Sequence, residues 1–347
     1  MPPDTQRGYI SMGNILFQNA LKNQNMDRPP IWFMRQAGRY HSHYQELKKV
    51  HTFEQLCKNP SLAAETALGP INDFNYDVAI LFSDILFILE SLGMNLHYNP
   101  GPIFEKFFDE SQINNIKRPK EVAEDLLFQY EAISLTRKQL PQSKSLVGFV
   151  GGPWTLASYA TGLNKEQFLT PNFFHEKLVF DILIPALKEN ISLQLQSGAE
   201  VIYMFDTNAV QLEKDYFCNR YLKQIKQNIF DIFPKKIAYF SKNKNLALIE
   251  NINEKFSLSG FVHNPERNFA KSLKNNKSGF VQGNFPSESL AKPHIDFKKD
   301  FKLFCNRMKR VEIQERLNWV CSLNHGVLPK TPEENVKYFI DYIREKF

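Results

Sequence analysis

Short apolar runs rich in β-branched and aromatic side chains recur along the chain at Ile31–Met34, Val78–Phe82, Leu146–Val150, Val201–Phe205, Ile237–Phe240, Leu258–Val262, Gly279–Gln282 and Trp319–Leu323. Runs of that length and type read as strands. Between them the apolar positions take helical spacing, as in Phe53–Phe74, Lys120–Leu140 and Phe173–Ser197. Eight strands alternating with helices predict an α/β chain folded as a (β/α)8 TIM barrel, because a parallel strand needs a helical crossover before the next. No internal repeat, low-complexity linker or abrupt composition shift divides the chain, so residues 1–347 are read as a single barrel domain. Residues 1–28 precede the first strand and are expected to wrap the barrel, with a helix from Asn14 to Lys22. The stretch Asn95–Ile116, carrying Pro100-Gly101-Pro102, is expected to form an excursion on the rim.

Composition narrows the class. With 43% hydrophobic residues in 347, the chain can bury a sizeable core. The net charge of +6 is spread through Lys-Asn-rich stretches such as Lys242–Asn245 and Lys271–Lys277, which read as solvated faces; a nucleic-acid protein would cluster its charge with aromatics. A mild positive balance suits an acidic small-molecule substrate. Cys57, Cys218, Cys305 and Cys321 are far apart in sequence, which argues against a disulfide framework and a zinc ribbon. Met1–Arg7 lacks the apolar core of a secretory signal. The longest apolar stretch, Val78–Leu92, contains Asp84 and Glu90 and falls short of the ~20 residues that span a bilayer. The expected setting is the reducing cytoplasm, with no membrane partner.

In barrel enzymes the chemistry lies at the carboxyl ends of the strands, and the unusual residues of this chain fall there. Arg35 follows the first candidate strand and Ser83-Asp84 the second. Gly151-Gly152-Pro153-Trp154-Thr155 follows the third and Asp206-Thr207 the fourth. Gly283-Asn284 follows the seventh and Asn324-His325-Gly326 the eighth. Arg35 and Arg39 share a face if the segment is helical, and converge through Gly38 if it is a turn; in either case planar guanidinium groups suit a substrate with several acid groups. Asp84, in an apolar context, needs a partner; it is either an N-cap for the following helix or an acceptor of N–H donors from a ligand. His325 reads equally as a structural or a functional histidine, and Tyr159 as a core residue or one whose hydroxyl points back into the site. The glycine pair is too short for a dinucleotide fingerprint; it is expected to admit close backbone approach to a flat ligand.

Several segments together resemble the uroporphyrinogen decarboxylase family: Arg28–Tyr40, containing Met34-Arg35-Gln36-Ala37-Gly38-Arg39-Tyr40, then Phe82–Leu86, Gly148–Leu156, Phe205–Thr207, Gln282–Asn284 and His325–Pro329. They occur in the family's order over nearly the whole chain. The resemblance implies decarboxylation of the four acetate side chains of uroporphyrinogen III to give coproporphyrinogen III, on a single barrel, in a homodimer, with no metal or organic cofactor. It maps the family's functional positions onto Arg35, Arg39, Asp84, Tyr159 and His325, and places Thr207 where many relatives have serine. Met34, Ile80, Phe149, Gly151 and Phe205 match positions lining the cleft. In that frame Asp84, Arg35 and Tyr159 are the catalytic candidates. Asp84 accepts the pyrrole N–H groups, with Tyr159 as its orienting partner, while Arg35, Arg39 and His325 hold carboxylates.

Three departures fall on the rim: Val262-His263 in place of an acidic-aromatic pair, Asn324 in place of a glycine, and Ser241–Asn245 in place of a glycine-containing loop. Two other functions fit the same barrel. A corrinoid or thiol methyltransferase would need zinc held by a His-x-Cys pair, and no histidine here lies two residues from a cysteine. A tetrapyrrole carrier without turnover would not need Arg35, Asp84 and Tyr159 intact.

Overall fold

The computed structural model describes residues 13–24, 26–111, 116–163, 171–242, 251–263 and 269–347. Seven parallel strands form one sheet in the order β1-β4-β5-β6-β7-β8-β9: β1 Val78–Ile80, β4 Ser145–Gly151, β5 Val201–Phe205, β6 Ile237–Phe240, β7 Gly260–Val262, β8 Phe280–Phe285 and β9 Trp319–Leu323. Nearly every residue in these strands is buried, as expected where helices cover the outer face and side chains fill the interior. Seven of the eight expected strands are therefore present.

The eighth is reduced to an extended segment at 30–34. It makes one parallel bridge, Ile31 to Cys321, so it lies beside β9. The Cys321 N–H donates to Pro30 O at 2.9 Å and the Asp77 N–H to Ile31 O at 3.0 Å, which joins β9 to the edge of β1 and closes the ring. Pro29 and Pro30 have no N–H to give, so a full ladder cannot form there. The closure is locked by charge instead. Arg28 reaches both oxygens of Asp77 at 2.7 and 2.9 Å, and the Ile31 N–H donates to the same carboxylate at 2.8 Å. Asp77 is only 2% exposed, so this bidentate pair is nearly desolvated.

The N-terminal helix spans Ile15–Lys22, capped by the Asn14 side chain, which accepts from the Phe17 N–H, and ended by Asn23 in the left-handed region. It crosses the amino ends of the strands: the Asn14 N–H donates to Ser145 Oγ at 2.9 Å, and the Phe17 ring lies 5.6 Å from Phe280. Ser145 and Phe280 begin β4 and β8, so this helix closes the floor where wrapping was expected. Residues 1–12 of that segment lie outside the described residues. The expected helix Phe53–Phe74 is two helices, Phe53–Lys58 and Pro60–Phe74, divided at Asn59, whose side chain caps the second. Among the described residues no helix is long and apolar enough to cross a membrane.

The rim excursion is an antiparallel hairpin of β2 Leu96–Tyr98 and β3 Pro102–Phe104. Its aromatic residues fold it inward: Tyr98 packs 4.8 Å from Phe53 and Phe104 6.4 Å from Tyr159, while the Phe108 N–H donates to Ala160 O. The hairpin thus stands over the carboxyl ends of β1 and β4.

Candidate active site

The mouth of the barrel is marked by exposure. Along strands that are otherwise buried, single residues toward the carboxyl ends are half-buried: Ile80 on β1, Phe149 on β4 and Phe205 on β5, with Thr207 just beyond. The rings of Phe149 and Phe205 are 5.8 Å apart, and Phe240 continues the row 6.1 Å from Phe205. They make an apolar wall suited to the face of a flat ligand.

The Met34–Tyr40 segment is a turn. Arg35 has a positive φ of 60°, a conformation uncommon for a side chain with a Cβ. Surrounding bonds hold it there: the Val327 N–H donates to Met34 O at 2.9 Å, Gln36 Nε2 to Val78 O at 3.1 Å, and the Tyr40 hydroxyl to Gln36 O at 2.7 Å. Met34 is buried beneath the turn, whereas Arg35 and Arg39 are exposed. Among the described residues neither guanidinium ion-pairs with a protein carboxylate, so the arrangement departs from that of paired surface arginines. The stem of Arg35 lies against Gly326, where a Cβ would meet its Cδ at 2.6 Å.

Asp84 stands before the short helix Phe87–Ser91 without being its N-cap, which is Leu86. Asp84 Oδ1 accepts the Leu86 N–H at 2.9 Å, tying the turn before that helix. Burial pushes its pKa above the usual carboxylate value, while the Leu86 N–H, the Tyr98 hydroxyl and the charge of Arg35 favour the ionised form. Tyr98 faces this carboxylate closely enough to stabilise it, yet its hydroxyl makes no hydrogen bond of normal geometry. The pair is a close polar contact. His325, half-buried at the end of β9, is held below the ordinary histidine value, first by burial and then by the charges of Arg35 and Lys242; the Gly326 backbone and Glu288 act in the opposite sense. These influences favour its neutral imidazole form. The charge of Arg35 thus bears on both Asp84 and His325, and its stem lies against Gly326, the residue after His325.

Tyr159 is half-buried on the helix Pro153–Ala160, on the side covered by the hairpin. A phenol that acts on Asp84 is Tyr98, which the sequence pattern did not single out. Its signal was the turn at Pro100-Gly101-Pro102, which returns the hairpin to the mouth.

The glycine pair serves packing. A Cβ at Gly152 would collide with Asp206 at 2.2 Å, and one at Gly151 with Leu156 at 2.7 Å. The space beside Gly152 holds Asp206, a fully buried latch. Its carboxylate accepts the Thr155 N–H and Oγ1 at 3.0 Å each, the Tyr221 hydroxyl at 2.6 Å and the Tyr239 hydroxyl at 2.8 Å. Burial raises the pKa of Asp206 and those four donors favour its charged form. The latch fixes the start of the Tyr159 helix against the end of β5.

The rim departures have structural partners. Asn324 Oδ1 accepts the Ser287 N–H at 2.9 Å. His263 is 1% exposed; its Nε2 lies 3.0 Å from Ser272 Oγ and its Nδ1 3.2 Å from Asn284 Nδ2. Positions 243–245 of the third lie outside the described residues. Among the described residues no group of three or more His, Cys, Asp or Glu side chains is gathered as a metal site.

The family model described as uroporphyrinogen decarboxylase (URO-D) matches residues 12–346. A protein named uroporphyrinogen decarboxylase from Orientia tsutsugamushi (strain Boryong) is 34% identical, covering 94% of this chain and 96% of its own. Another of that name from Helicobacter pylori (strain Shi470) is 32% identical over 96% of this chain and 99% of its own. Among solved structures, a methyltransferase from Methanosarcina mazei superposes with a TM-score of 0.75 at 19% identity, covering 96% of this chain and 99% of its own; that likeness concerns the fold alone. With a family match over almost its full length and one-third identity to such relatives, this chain belongs to the uroporphyrinogen decarboxylase family.

Proposed function

We propose that the protein removes CO2 from the four acetate side chains of uroporphyrinogen III to give coproporphyrinogen III, a step of haem biosynthesis. The observation that carries this reading is the Arg35 side chain lying against Gly326, next to His325, with its charge bearing on Asp84, at strand ends that also carry the Phe149–Phe205 wall. The reaction replaces a carboxylate with a proton at each acetate. Protonating a pyrrole carbon makes the ring an electron sink, the C–C bond to CO2 breaks with its electron pair entering the ring, and a second proton completes the methyl group as the ring proton is lost. No cofactor is needed for that sequence.

Asp84 is the group that lowers the barrier. As a carboxylate it accepts pyrrole N–H groups and stabilises the positive charge that develops on the ring, a term that preorganised charge in a water-poor cleft makes large. Arg35 and Arg39 bind carboxylates bidentately, and neutral His325 donates an N–H to another. A guanidinium releases its proton reluctantly, so Arg35 acts chiefly as a grip. Tyr98 holds Asp84 in its charged form, while Tyr159 and Thr207 supply hydroxyls on the β4–β5 side. Met34, Ile80 and the backbone at Gly151 complete the lining.

We further infer that residues 1–347 act as one barrel unit, as a homodimer, in the cytoplasm. The four cysteines are unpaired, as a reducing compartment would keep them. Anaerobic incubation with uroporphyrinogen III, followed by chromatography of the oxidised products, should give porphyrins with seven to four carboxylates. Recovery of only the octacarboxylate would contradict the proposal.

A further inference from the structure

One cation at the mouth has no role in the account above. Lys242 stands two residues beyond the end of β6 and is exposed. On that strand the inward and outward positions are plain. Tyr239 points outward, its hydroxyl donating to Asp206, and Phe240 points inward, its ring against Phe205. Strand periodicity of two carries the inward direction from Phe240 to Lys242.

The strand order fixes where this lysine stands. From the 30–34 segment, β6 is reached through β1, β4 and β5 on one side and through β9, β8 and β7 on the other, so it is the fourth stave either way. Lys242 therefore faces the mouth from the side opposite Arg35 and Arg39. Its charge reaches across that mouth, where it and Arg35 both act on His325. A flat molecule with carboxylates around its whole edge, gripped on one side only by Arg35 and Arg39, would leave the far edge without a counter-charge.

We propose that Lys242 is a specificity-determining residue that holds a peripheral carboxylate of the tetrapyrrole on the β5–β6 side, above the Phe205–Phe240 wall. This rests on the decarboxylase reading and adds to it a preference for ligands carboxylated around their full edge. Lysine serves here as a mobile point charge, suited to an edge whose carboxylates turn past it between successive decarboxylations.

The test is fluorescence titration of the full-length protein with octacarboxylate uroporphyrin and tetracarboxylate coproporphyrin, using wild type, Lys242→Gln and Lys242→Arg. Lys242→Gln should weaken octacarboxylate binding about three- to tenfold, as expected for losing one charge-assisted contact, and should weaken tetracarboxylate binding less. Lys242→Arg should restore affinity. In turnover, KM should rise more than kcat falls. The low-pH region of the KM profile should move to higher pH in Lys242→Gln, because one of the cations that oppose the His325 proton is then gone. Equal octacarboxylate affinity in wild type and Lys242→Gln would overturn the role of the lysine alone. Wild-type protein that leaves uroporphyrinogen III unchanged under anaerobic conditions would overturn it together with the decarboxylase reading.

Discussion

The side chain of Arg35 runs across Gly326, whose missing β-carbon leaves the space that Arg35 Cγ and Cδ occupy. The glycine after the strand-end histidine thus decides where the guanidinium points. Gly326→Ala should displace Arg35 and lower kcat/KM about tenfold or more, since small misplacements of a binding group are costly. The melting temperature should change by only a few degrees. Steady-state kinetics beside thermal melts check this; unchanged kcat/KM would detach Gly326 from the position of Arg35.

Asp84→Asn separates charge from shape. The amide keeps an oxygen for the Leu86 N–H, so the turn should survive. Turnover should fall about 10²- to 10³-fold, the usual loss on removing a preorganised electrostatic group. Stability should not fall. Burial raises the folded-state pKa of Asp84, so the ionised carboxylate costs stability at neutral pH, and that cost fades as pH drops through the raised value. Asparagine removes it, and the melting temperature at pH 7 should hold or rise. Near-normal turnover would reduce Asp84 to a turn residue.

Tyr98→Phe tests the hairpin's part in the chemistry. Tyr98 favours the charged form of Asp84, so its loss should raise the Asp84 pKa further. The acid limb of kcat/KM against pH should move to higher pH while the alkaline limb stays. A pH profile identical to wild type would mean that Tyr98 only packs against Phe53 and Phe87.

Arg28→Ala addresses the closure of the barrel. It leaves Asp77 buried with the Ile31 N–H and, at 3.7 Å, Arg344 as its remaining partners. Breaking a buried pair typically costs about 3 kcal/mol or more, and urea unfolding should show a loss near that size. A loss under about 1 kcal/mol would mean that Arg344 substitutes fully.

The strands were legible because their apolar runs are dictated by burial, which is local in sequence. The first was misjudged in form: Ile31–Met34 has the right side chains, but the prolines before it remove the donors a ladder needs. Arg35, Asp84 and His325 were legible from their places after strands, and the structure brings them together. Tyr98 was not, because its approach to Asp84 depends on how a hairpin folds back over another element. The packing need at Gly151 and Gly152 was not legible for the same reason: the groups that use their space, Leu156 and Asp206, are set by packing of the next helix and the next strand. Lys242 lay in what read as a solvated charge run, and only the strand order sets it across from Arg35.

Exchange of acetate carboxylates for protons, with the proposed stabilisation of the charged ring by Asp84, leaves an isotopic record. Mass spectrometry of the products of an anaerobic reaction with uroporphyrinogen III in D2O tests that exchange most directly. Wild-type protein should yield a tetracarboxylate product with one solvent deuterium in each new methyl group, and Asp84→Asn should yield almost none. Unchanged octacarboxylate from the wild type, or equal product from both proteins, would contradict the account.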